Sequence, residues 1–508
     1  MYDIIVIGGG IAGLYTTYKI HQKSPQTKVL LIEKENRLGG RIHTFTNKHM
    51  TVEAGAGRIH GSQPLIMGLI GELGLTTKLI KNSGSVVYRP ANSNSETESS
   101  SSDAPQNHTL LEPVYNYLVD SIFGPKTLPN SSGDRRSPSE LVEQRLSAPW
   151  PITGLILTLV VVSKTYSKQY LQNHTLSQFA ERVLTKDQVN YIKGSFGYYS
   201  EFVIMNAYDA IKLLNELSPS NTFYSMKGGL EQIVDKMVKI IKRNPNIDIL
   251  LRKEVSKITY KESETVFDID VENTRYTCKQ CVCALPKPAL LNLSIFKPIR
   301  PLLHKVECGT LCRIYSKFDK ENLWFKDIDK FTTNNDLRMV IPYKPQEGVI
   351  MISYSDNIFA DRWQRLYKQE GIRAVNRKLR EDMLKSTGIM IPMPKHTEIF
   401  YWDCGVGYWG VGADSNKVAK KMIQPYKTSP GAKHPSKLVV EGFQPSDKNV
   451  NLFICGENYS ENGQQWIEGA LETGDKVLSV LQLMSPLRSR HPYETLPSNG
   501  RTSFRLIQ

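Results

Sequence analysis

The stretch Gly8-Gly9-Gly10-Ile11-Ala12-Gly13 decides the fold, because it matches the pattern G-x-G-x-x-G directly after the apolar strand Ile4–Ile7. It opens a helical segment from Ile11 to about Gln22, and a second apolar strand follows at Val29–Ile32. Gly8 permits a tight turn, Gly10 lets a pyrophosphate approach the backbone, and Gly13 lets helix and strand pack closely. The unit predicts a dinucleotide site at Gly8, Gly10, Ile11, Ala12 and Gly13, where the helix N-terminus offers unpaired N–H groups to phosphate.

An acidic residue and a second glycine pair narrow the choice of dinucleotide. Glu33 ends the second strand, where a carboxylate accepts hydrogen bonds from both ribose hydroxyls and repels the 2′-phosphate of NADP. The segment Leu38-Gly39-Gly40-Arg41 follows closely. It lets the backbone at Gly40 approach the cofactor again, with Arg41 near a phosphate. A compact NAD site needs no such extension, so the sequence favours FAD.

Length and charge limit the classes of protein. With 508 residues, the chain is long enough for two or three domains. Lys and Arg number 64 against 50 Asp and Glu, and this net charge of +14 suggests an anionic partner, cofactor or substrate. A nucleic-acid partner is not expected, because no basic stretch is interleaved with aromatic residues.

The cysteines and apolar runs bear on compartment and membrane. Seven cysteines, none before Cys278, do not make a disulfide framework, which favours a reducing compartment. Cys278, Cys281 and Cys283 have no second ligand pair at zinc spacing, and we expect no metal site. No signal peptide follows Met1, so we expect an intracellular protein of unknown compartment. The longest apolar run, Ile152 to Val162, is too short to span a bilayer and predicts a buried helix or strand.

Further along the chain, helical spacing covers roughly Thr175 to Leu217 and continues from Leu230 to Ile241, and a β-rich block runs from about Leu311 to Asp403. Several short glycine-containing or apolar segments occur along the chain in a definite order. They are Ile4–Gly13, Glu33, Gly39-Gly40-Arg41 and Glu53–Arg58 near the N-terminus, Lys227–Leu230, Val255 and Ala284–Pro286 in the middle, and Leu452–Glu457, Trp466–Ala470 and Gly474 near the C-terminus. In order and spacing they resemble the flavin-containing amine oxidase family, which includes monoamine, polyamine and L-amino-acid oxidases. The resemblance covers roughly two thirds of the chain.

The resemblance implies an α/β fold, in which a Rossmann-like FAD-binding domain is interleaved with a second, α+β substrate domain of mixed sheet plus helices. The expected segments are 1–82 (FAD-binding domain, first part), 83–222 (helical substrate domain with Ser-rich insertions), 223–298 (FAD-binding domain, second part), 299–432 (substrate domain, sheet part), 433–485 (FAD-binding domain, C-terminal part) and 486–508 (a disordered tail).

The resemblance also implies further cofactor contacts. Val255 would contribute backbone contacts on the adenine side, and Gly456 and Glu457 would lie along the ribityl-pyrophosphate. The N–H of Ile467 would lie near the pyrimidine edge of a non-covalently bound flavin. A helix that begins there points its N–H groups at the N1–C2=O region, where negative charge accumulates on reduction.

Arg58 carries the most information about the substrate. It follows Gly57 in a glycine-rich stretch expected beside the isoalloxazine, so both are candidate cofactor contacts. L-amino-acid oxidases carry an arginine at the matching place, where it binds the substrate carboxylate in a bidentate way. Monoamine and polyamine oxidases usually lack it. Two alternatives remain open, namely that Arg58 holds a phosphate or that it pairs with a structural carboxylate such as Glu53.

Aromatic and cationic residues are the candidates for catalysis. In the family, two aromatic rings usually sandwich the amine before the flavin. Trp466 matches one position, and Tyr408 is the candidate for the other, with Trp409 as an alternative substrate-binding residue; all three also suit a protein core. The family commonly places a lysine in the strand after a Gly-Thr turn, where this chain has Arg313. A guanidinium stays protonated and cannot act as a tunable base, although it can stabilise anionic reduced flavin or orient a water.

These residues together predict an FAD-dependent oxidase of amines or L-amino acids, with amino acids favoured by Arg58. The resemblance implies that a hydride passes from the substrate α-carbon to flavin N5. The imine is then hydrolysed, and dioxygen is reduced to hydrogen peroxide. A polyamine or monoamine substrate is the nearest alternative. A second alternative is a catalytically weak flavoprotein with a structural or binding role, which Arg313 keeps open. The sequence does not decide the oligomeric state.

Overall fold

A computed structural model of the chain describes residues 1–82, 86–91, 152–216, 222–321, 323–426 and 450–483. The Ser-rich insertions and the expected tail at 486–508 lie outside the described residues.

The strands of the described residues are β1 (Tyr2–Ile7), β2 (Val29–Ile32), β3 (Thr44–Thr46), β4 (Thr51–Glu53), β5 (Ile59–His60), β6 (Leu79–Lys81), β7 (Val87–Tyr88), β8 (Phe223–Met226), β9 (Ile247–Leu250), β10 (Val255–Lys261), β11 (Val266–Val271), β12 (Thr274–Cys283), β13 (Val306–Lys317), β14 (Phe331–Thr332), β15 (Met339–Lys344), β16 (Val349–Asp356), β17 (His396–Trp409) and β18 (Leu452–Ile454).

The helices are α1 (Ile11–Lys23), α2 (Pro64–Glu72), α3 (Ile152–Ser163), α4 (Lys168–Gln172), α5 (Leu176–Val183), α6 (Lys186–Ser195), α7 (Tyr199–Val203), α8 (Ala207–Glu216), α9 (Glu231–Ile241), α10 (Lys287–Asn292), α11 (Arg300–Leu303), α12 (Asn357–Thr387), α13 (Ser415–Ile423) and α14 (Ile467–Val480). Short 3-10 turns occur at Thr76–Lys78, Ser294–Ile299, Pro345–Glu347 and Glu457–Tyr459.

A seven-stranded sheet is assembled from three separate parts of the chain. Its order is β10-β11-β12-β1-β2-β9, and β18 pairs with the end of β12. In β1, Ile4 and Val6 pack in one core with residues of α1, α9 and α14, while Ile5 and Ile7 pack in another with α10, α11 and α13. Strands of a parallel sheet that is covered on both faces are expected to be apolar throughout. The structure confirms the α/β, Rossmann-like fold with a second α+β part, while the individual domain boundaries stay predictions.

A second, mixed sheet has the order β17-β13-β16-β15-β14-β7. Its core includes Ile314 and Ile352 from the sheet, and Val375, Leu379 and Met383 from α12. The β-rich block predicted from about Leu311 to Asp403 does contain strands β13 to β17, but it also contains the long helix α12, which the sequence analysis missed. The i, i+4 spacing of these three helical residues carried the signal, and the many charged residues around them concealed it.

Helices α3 to α8 form a bundle with its own apolar core. Thr175 and Thr185 each close a capping box with a glutamine three residues later, which fixes the start of α5 and of α6. Ile152–Ser163 is helical, in agreement with the sequence analysis. In the part of the chain that the structure describes, no helix is both long and apolar enough to cross a membrane.

The sequence analysis expected no disulfide framework, and the structure has one disulfide among the described residues. Cys308 on β13 and Cys404 on β17 form a disulfide, with their Cα atoms 4.9 Å apart. The two strands are antiparallel neighbours, so the register of the sheet brings together residues 96 positions apart in the sequence. An odd number of cysteines does not exclude such a pair. The other five cysteines are free and buried.

Candidate functional site

In the glycine-rich turn between β1 and α1, a side chain would fit at Gly10 but not at Gly8 or Gly13. A Cβ on Gly13 would lie 2.0 Å from the backbone oxygen of Gly8, and Gly8 itself has φ +100°. A Cβ on Gly10 would have the Cα of Gly40, at 3.9 Å, as its nearest neighbour. The first turn of α1 has no acidic residue, and its N-cap Gly10 has no side chain to cap it. The open space at Gly10 beside an uncapped helix N-terminus fits a dinucleotide phosphate.

Glu33 lies at the end of β2 and faces this turn. Its Oε2 accepts a hydrogen bond from the N–H of Gly9 (2.6 Å), and its Oε1 accepts one from the N–H of Glu35 (2.9 Å). The backbone N–H of Lys253 donates to the backbone oxygen of Glu33 (3.0 Å). This contact brings the segment that leads to Val255, the first residue of β10, beside the predicted ribose-binding position.

The carboxylate of Glu457 joins three parts of the site. Its Oε1 accepts a hydrogen bond from the guanidinium of Arg41, with which it forms an ion pair. Its Oε2 accepts hydrogen bonds from the N–H groups of Gly407 (3.3 Å) and Gln465 (2.9 Å). Glu457 thus holds Arg41, strand β17 and the turn before α14 in one arrangement. Arg41 Nη1 also donates to the backbone oxygen of Gly405 (2.9 Å), so a phosphate contact of Arg41 would have to use its remaining guanidinium N–H groups.

One cavity is lined by the second sheet, the helical bundle, the segment after β4 and the N-terminus of α14. Trp466 and Ile467 line it from the N-terminus of α14, Tyr408 from β17, Arg313 from β13 and Tyr198 from the segment before α7. The sequence predicted four of these five residues from positions far apart in the chain. The structure brings them to the same cavity, although their individual roles stay predictions.

The two aromatic residues expected to flank the substrate differ in their surroundings. Tyr408 is 2% exposed, and burial raises the pKa of its hydroxyl well above the usual range. Its ring covers Gly309, where a Cβ would lie 2.5 Å from Cε2 of Tyr408. The Trp466 ring stacks on Phe223, with ring centroids 6.0 Å apart. Among the described residues the Trp466 and Tyr408 rings do not contact each other, and their sandwich around an amine stays a prediction.

Trp409, the alternative to Tyr408, points elsewhere. It is 1% exposed and packs in the core between the seven-stranded sheet and its helices, and its Nε1–H donates to the backbone oxygen of Ser460 (3.0 Å). Neighbouring residues of a strand face opposite sides. The structure therefore favours Tyr408 over Trp409 as the residue that contacts the substrate.

Arg58 lies in the cavity within a group of aromatic rings. Its Cζ is 4.7 Å from the ring centroid of Phe223 and 5.9 Å from that of Trp466, and its Nη2 donates to the hydroxyl of Tyr198. The suggested pairing with Glu53 is not seen, because the Glu53 carboxylate accepts hydrogen bonds from the N–H of Leu230 and the hydroxyl of Thr44 instead. Among the described residues no carboxylate lies within 4.0 Å of the Arg58 guanidinium.

Arg313, which the sequence analysis placed where a family lysine is expected, lies on β13. Its Nη1 donates to the backbone oxygen of Glu53 (3.0 Å), and its Cζ lies 4.8 Å from the ring centroid of Tyr354. A Cβ on Gly57 would lie 2.9 Å from that Nη1. The Arg313 guanidinium therefore fits in this position only because residue 57 has no side chain. The guanidinium is a fixed positive charge in the cavity.

Other residues in the cavity were not anticipated. Tyr198, Glu201, Tyr354 and Asp356 line it as well. They come from the helical bundle and from β16, and no local spacing marks them. The segment Gly197–Glu201 groups aromatic and acidic residues within a helical region, which is the one signal that the sequence offered.

Comparison with known proteins identifies the family of this chain. A family model described as flavin containing amine oxidoreductase matches residues 11–477. The chain belongs to this family. An uncharacterised protein of Acanthamoeba polyphaga mimivirus is 23% identical over 94% of this chain and 93% of its own length. Aplysianin-A of Aplysia kurodai is 22% identical over 94% of this chain and 89% of its own.

Solved structures share the fold. Wild-type putrescine oxidase bound to putrescine has a TM-score of 0.63 and 14% identity, and the match covers 95% of this chain and 99% of that one. As a member of the flavin-containing amine oxidoreductases, the chain is an FAD-dependent oxidoreductase. The open space at Gly10, the uncapped N-terminus of α1 and the position of Glu33 fit this cofactor.

Proposed function

We propose that this protein oxidises the C–N bond of an amine or amino acid, with amino acids preferred and dioxygen as the electron acceptor. The observation that carries the preference is Arg58, a cavity guanidinium with no carboxylate partner among the described residues. A guanidinium stacked on aromatic rings keeps its edge N–H groups available, and their fork matches a carboxylate. The family supports an amine substrate, and one structural relative is named for the diamine putrescine.

The chain's own residues orient the substrate and exclude water. Trp466 and Tyr408 give the cavity apolar faces, and Arg58 would hold the substrate carboxylate so that the α-carbon has one orientation. The fixed charge of Arg313 would favour negative charge nearby. FAD, when bound, accepts two electrons from the C–N bond and passes them to dioxygen. The net reaction converts a primary amine, dioxygen and water into a carbonyl compound, ammonia and hydrogen peroxide.

A peroxide-coupled panel of amino acids and amines on FAD-loaded protein tests this proposal. We expect peroxide above the no-substrate control with at least one amino acid, at a higher rate than with its decarboxylated amine. Absence of turnover with every compound, although dithionite reduces the bound flavin, would instead support the catalytically weak flavoprotein. Faster turnover of the amines would favour the monoamine or polyamine alternative.

A further inference from the structure

The cavity contains a carboxyl group that the structure does not satisfy. Glu201 lies on α7, is 6% exposed and lines the same cavity as Arg58 and Trp466. Its Oε2 is buried and has no hydrogen-bond partner among the described residues. Buried polar atoms in native proteins are nearly always hydrogen-bonded, because an unmade bond leaves the cost of desolvation uncompensated.

The neighbouring carboxylate has a structural explanation that Glu201 lacks. Asp356, at the end of β16, accepts hydrogen bonds from the N–H groups of Tyr199 (3.2 Å) and Ser200 (2.7 Å). It therefore satisfies the start of α7, where backbone N–H groups have no partner within the helix. Glu201 does not cap a helix, and no ion pair joins it to Arg58 in the described part of the chain.

We propose that Glu201 binds a second cationic group of the substrate, an amino or guanidino group distant from the C–N bond that is oxidised. Together with a carboxylate at Arg58, this assigns the substrate to the diamino acids. The assignment rests on the proposed function for the carboxylate, whereas the role of Glu201 requires only that the substrate enters this cavity. A buried carboxylate and an unpaired guanidinium in one cavity complement a molecule that carries both charges.

The protonation of Glu201 links this recognition to pH. Burial, with the nearby Asp356 as a second cause, raises the pKa of Glu201 to about 8, while Arg58 acts to lower it. The charged and titratable groups around it are Asp356 from β16, Arg58 and the hydroxyls of Tyr198 and Tyr408, both of whose pKa values are raised by burial. A cation binds the ionised carboxylate, so below about pH 8 its binding must displace a proton from Glu201.

The experiment compares matched ligands on FAD-loaded wild type, Glu201→Gln and Glu201→Asp. L-lysine and L-norleucine differ by the terminal amino group, and the kcat/KM ratio of the two measures its recognition. ε-Aminocaproate and caproate lack the α-amino group that is oxidised, so their dissociation constants by calorimetry report recognition without turnover. Glu370→Gln, an exposed glutamate on α12, is the matched control.

We expect wild type to prefer lysine and to bind ε-aminocaproate more tightly than caproate. In Glu201→Gln both preferences fall by roughly 10- to 100-fold, the value of a charge-assisted hydrogen bond. The preferences of Glu201→Asp lie between those of wild type and Glu201→Gln, and Glu370→Gln keeps both preferences. The preferences in wild type also fall below about pH 8. Equal treatment of each pair by wild type, or preferences that survive in Glu201→Gln, would overturn the assignment.

Two further results separate this proposal from the proposed function. If no amine or amino acid is oxidised while ε-aminocaproate still binds in a Glu201-dependent manner, the oxidase proposal fails and the role of Glu201 stands. If cadaverine, the decarboxylated form of lysine, is preferred over lysine and depends on Glu201, the diamino-acid class is overturned and Glu201 serves a diamine.

Discussion

The guanidinium of Arg58 donates a hydrogen bond to the hydroxyl of Tyr198, 140 residues further along the chain. This contact joins the glycine-rich stretch after β4 to the helical bundle, and it fixes the direction in which the remaining Arg58 donors point. We therefore expect Tyr198 to be a positioning residue that acts through Arg58.

Replacing Tyr198 by Phe should loosen Arg58 without removing its charge. We expect KM for amino acids to rise about 2- to 10-fold, the value of one hydrogen bond, with a smaller change in kcat. KM for the decarboxylated amines should change less, because they do not use Arg58. Steady-state kinetics on both classes checks this, with the exposed Tyr367→Phe as the control. An equal rise in KM for both classes would contradict the positioning role.

Alanine at two glycines of the turn should separate cofactor binding from folding. Gly10 has φ −65° and ψ 177°, which alanine adopts freely, and a Cβ there enters open space. Gly10→Ala should fold with the Tm of the wild-type apoprotein but lose FAD. Gly13→Ala should lower the apoprotein Tm, because its Cβ meets the backbone of Gly8 and overpacking costs about 1–3 kcal/mol. Scanning calorimetry and the flavin-to-protein absorbance ratio report the two effects. Normal FAD content in Gly10→Ala would show that the cofactor does not occupy the open space at Gly10.

The buried Glu201 should make the stability of the protein depend on pH. Its pKa is raised from 4.5 to about 8, so the folded chain holds a proton that the unfolded chain releases between these values. Stability is therefore lost as pH rises through this window, by up to about 1.4 kcal/mol per pH unit. Glu201→Gln removes this loss. The Tm of this variant minus the Tm of wild type should therefore increase from about pH 5 to about pH 8. A constant difference in Tm across this range would show that Glu201 does not titrate there.

The disulfide between Cys308 and Cys404 should be visible as missing thiols. Denatured protein without reductant should show five thiols, and seven after reduction. Cys308→Ser should lose on the order of 2–4 kcal/mol of stability, because the bond no longer constrains the unfolded chain. Cys404→Ser should lose the same amount, and the double variant no more than either. Seven thiols before reduction would contradict the pairing.

The sequence predicted those features whose cause is local. The glycine turn requires particular backbone conformations within six residues, so its pattern specified β1, α1 and the cofactor. The strand–helix–strand pattern around this turn predicted the α/β class for the same reason. The helix α12 was missed although its buried residues recur at i, i+4, because charged residues surround them.

Contacts between distant segments could not be predicted in the same way. Tyr198 and Glu201 lie beside Asp356 of β16 in the cavity only because the bundle packs against β16 and β17. The disulfide follows from the register of two strands, and a single sequence does not show that register. Arg58 was found from its motif, but its aromatic surroundings required the structure.

The proposed function depends on Arg58 binding a substrate carboxylate during FAD-dependent oxidation. The most direct test measures anaerobic flavin reduction by L-norleucine and by pentylamine, its decarboxylated form, in wild type and Arg58→Ala. The exposed Arg365→Ala on α12 serves as the control. We predict that Arg58→Ala loses roughly 10- to 100-fold in the second-order rate constant of flavin reduction by norleucine, with little change for pentylamine. Equal losses for both compounds, or no reduction of the wild-type flavin by norleucine, would contradict this role of Arg58.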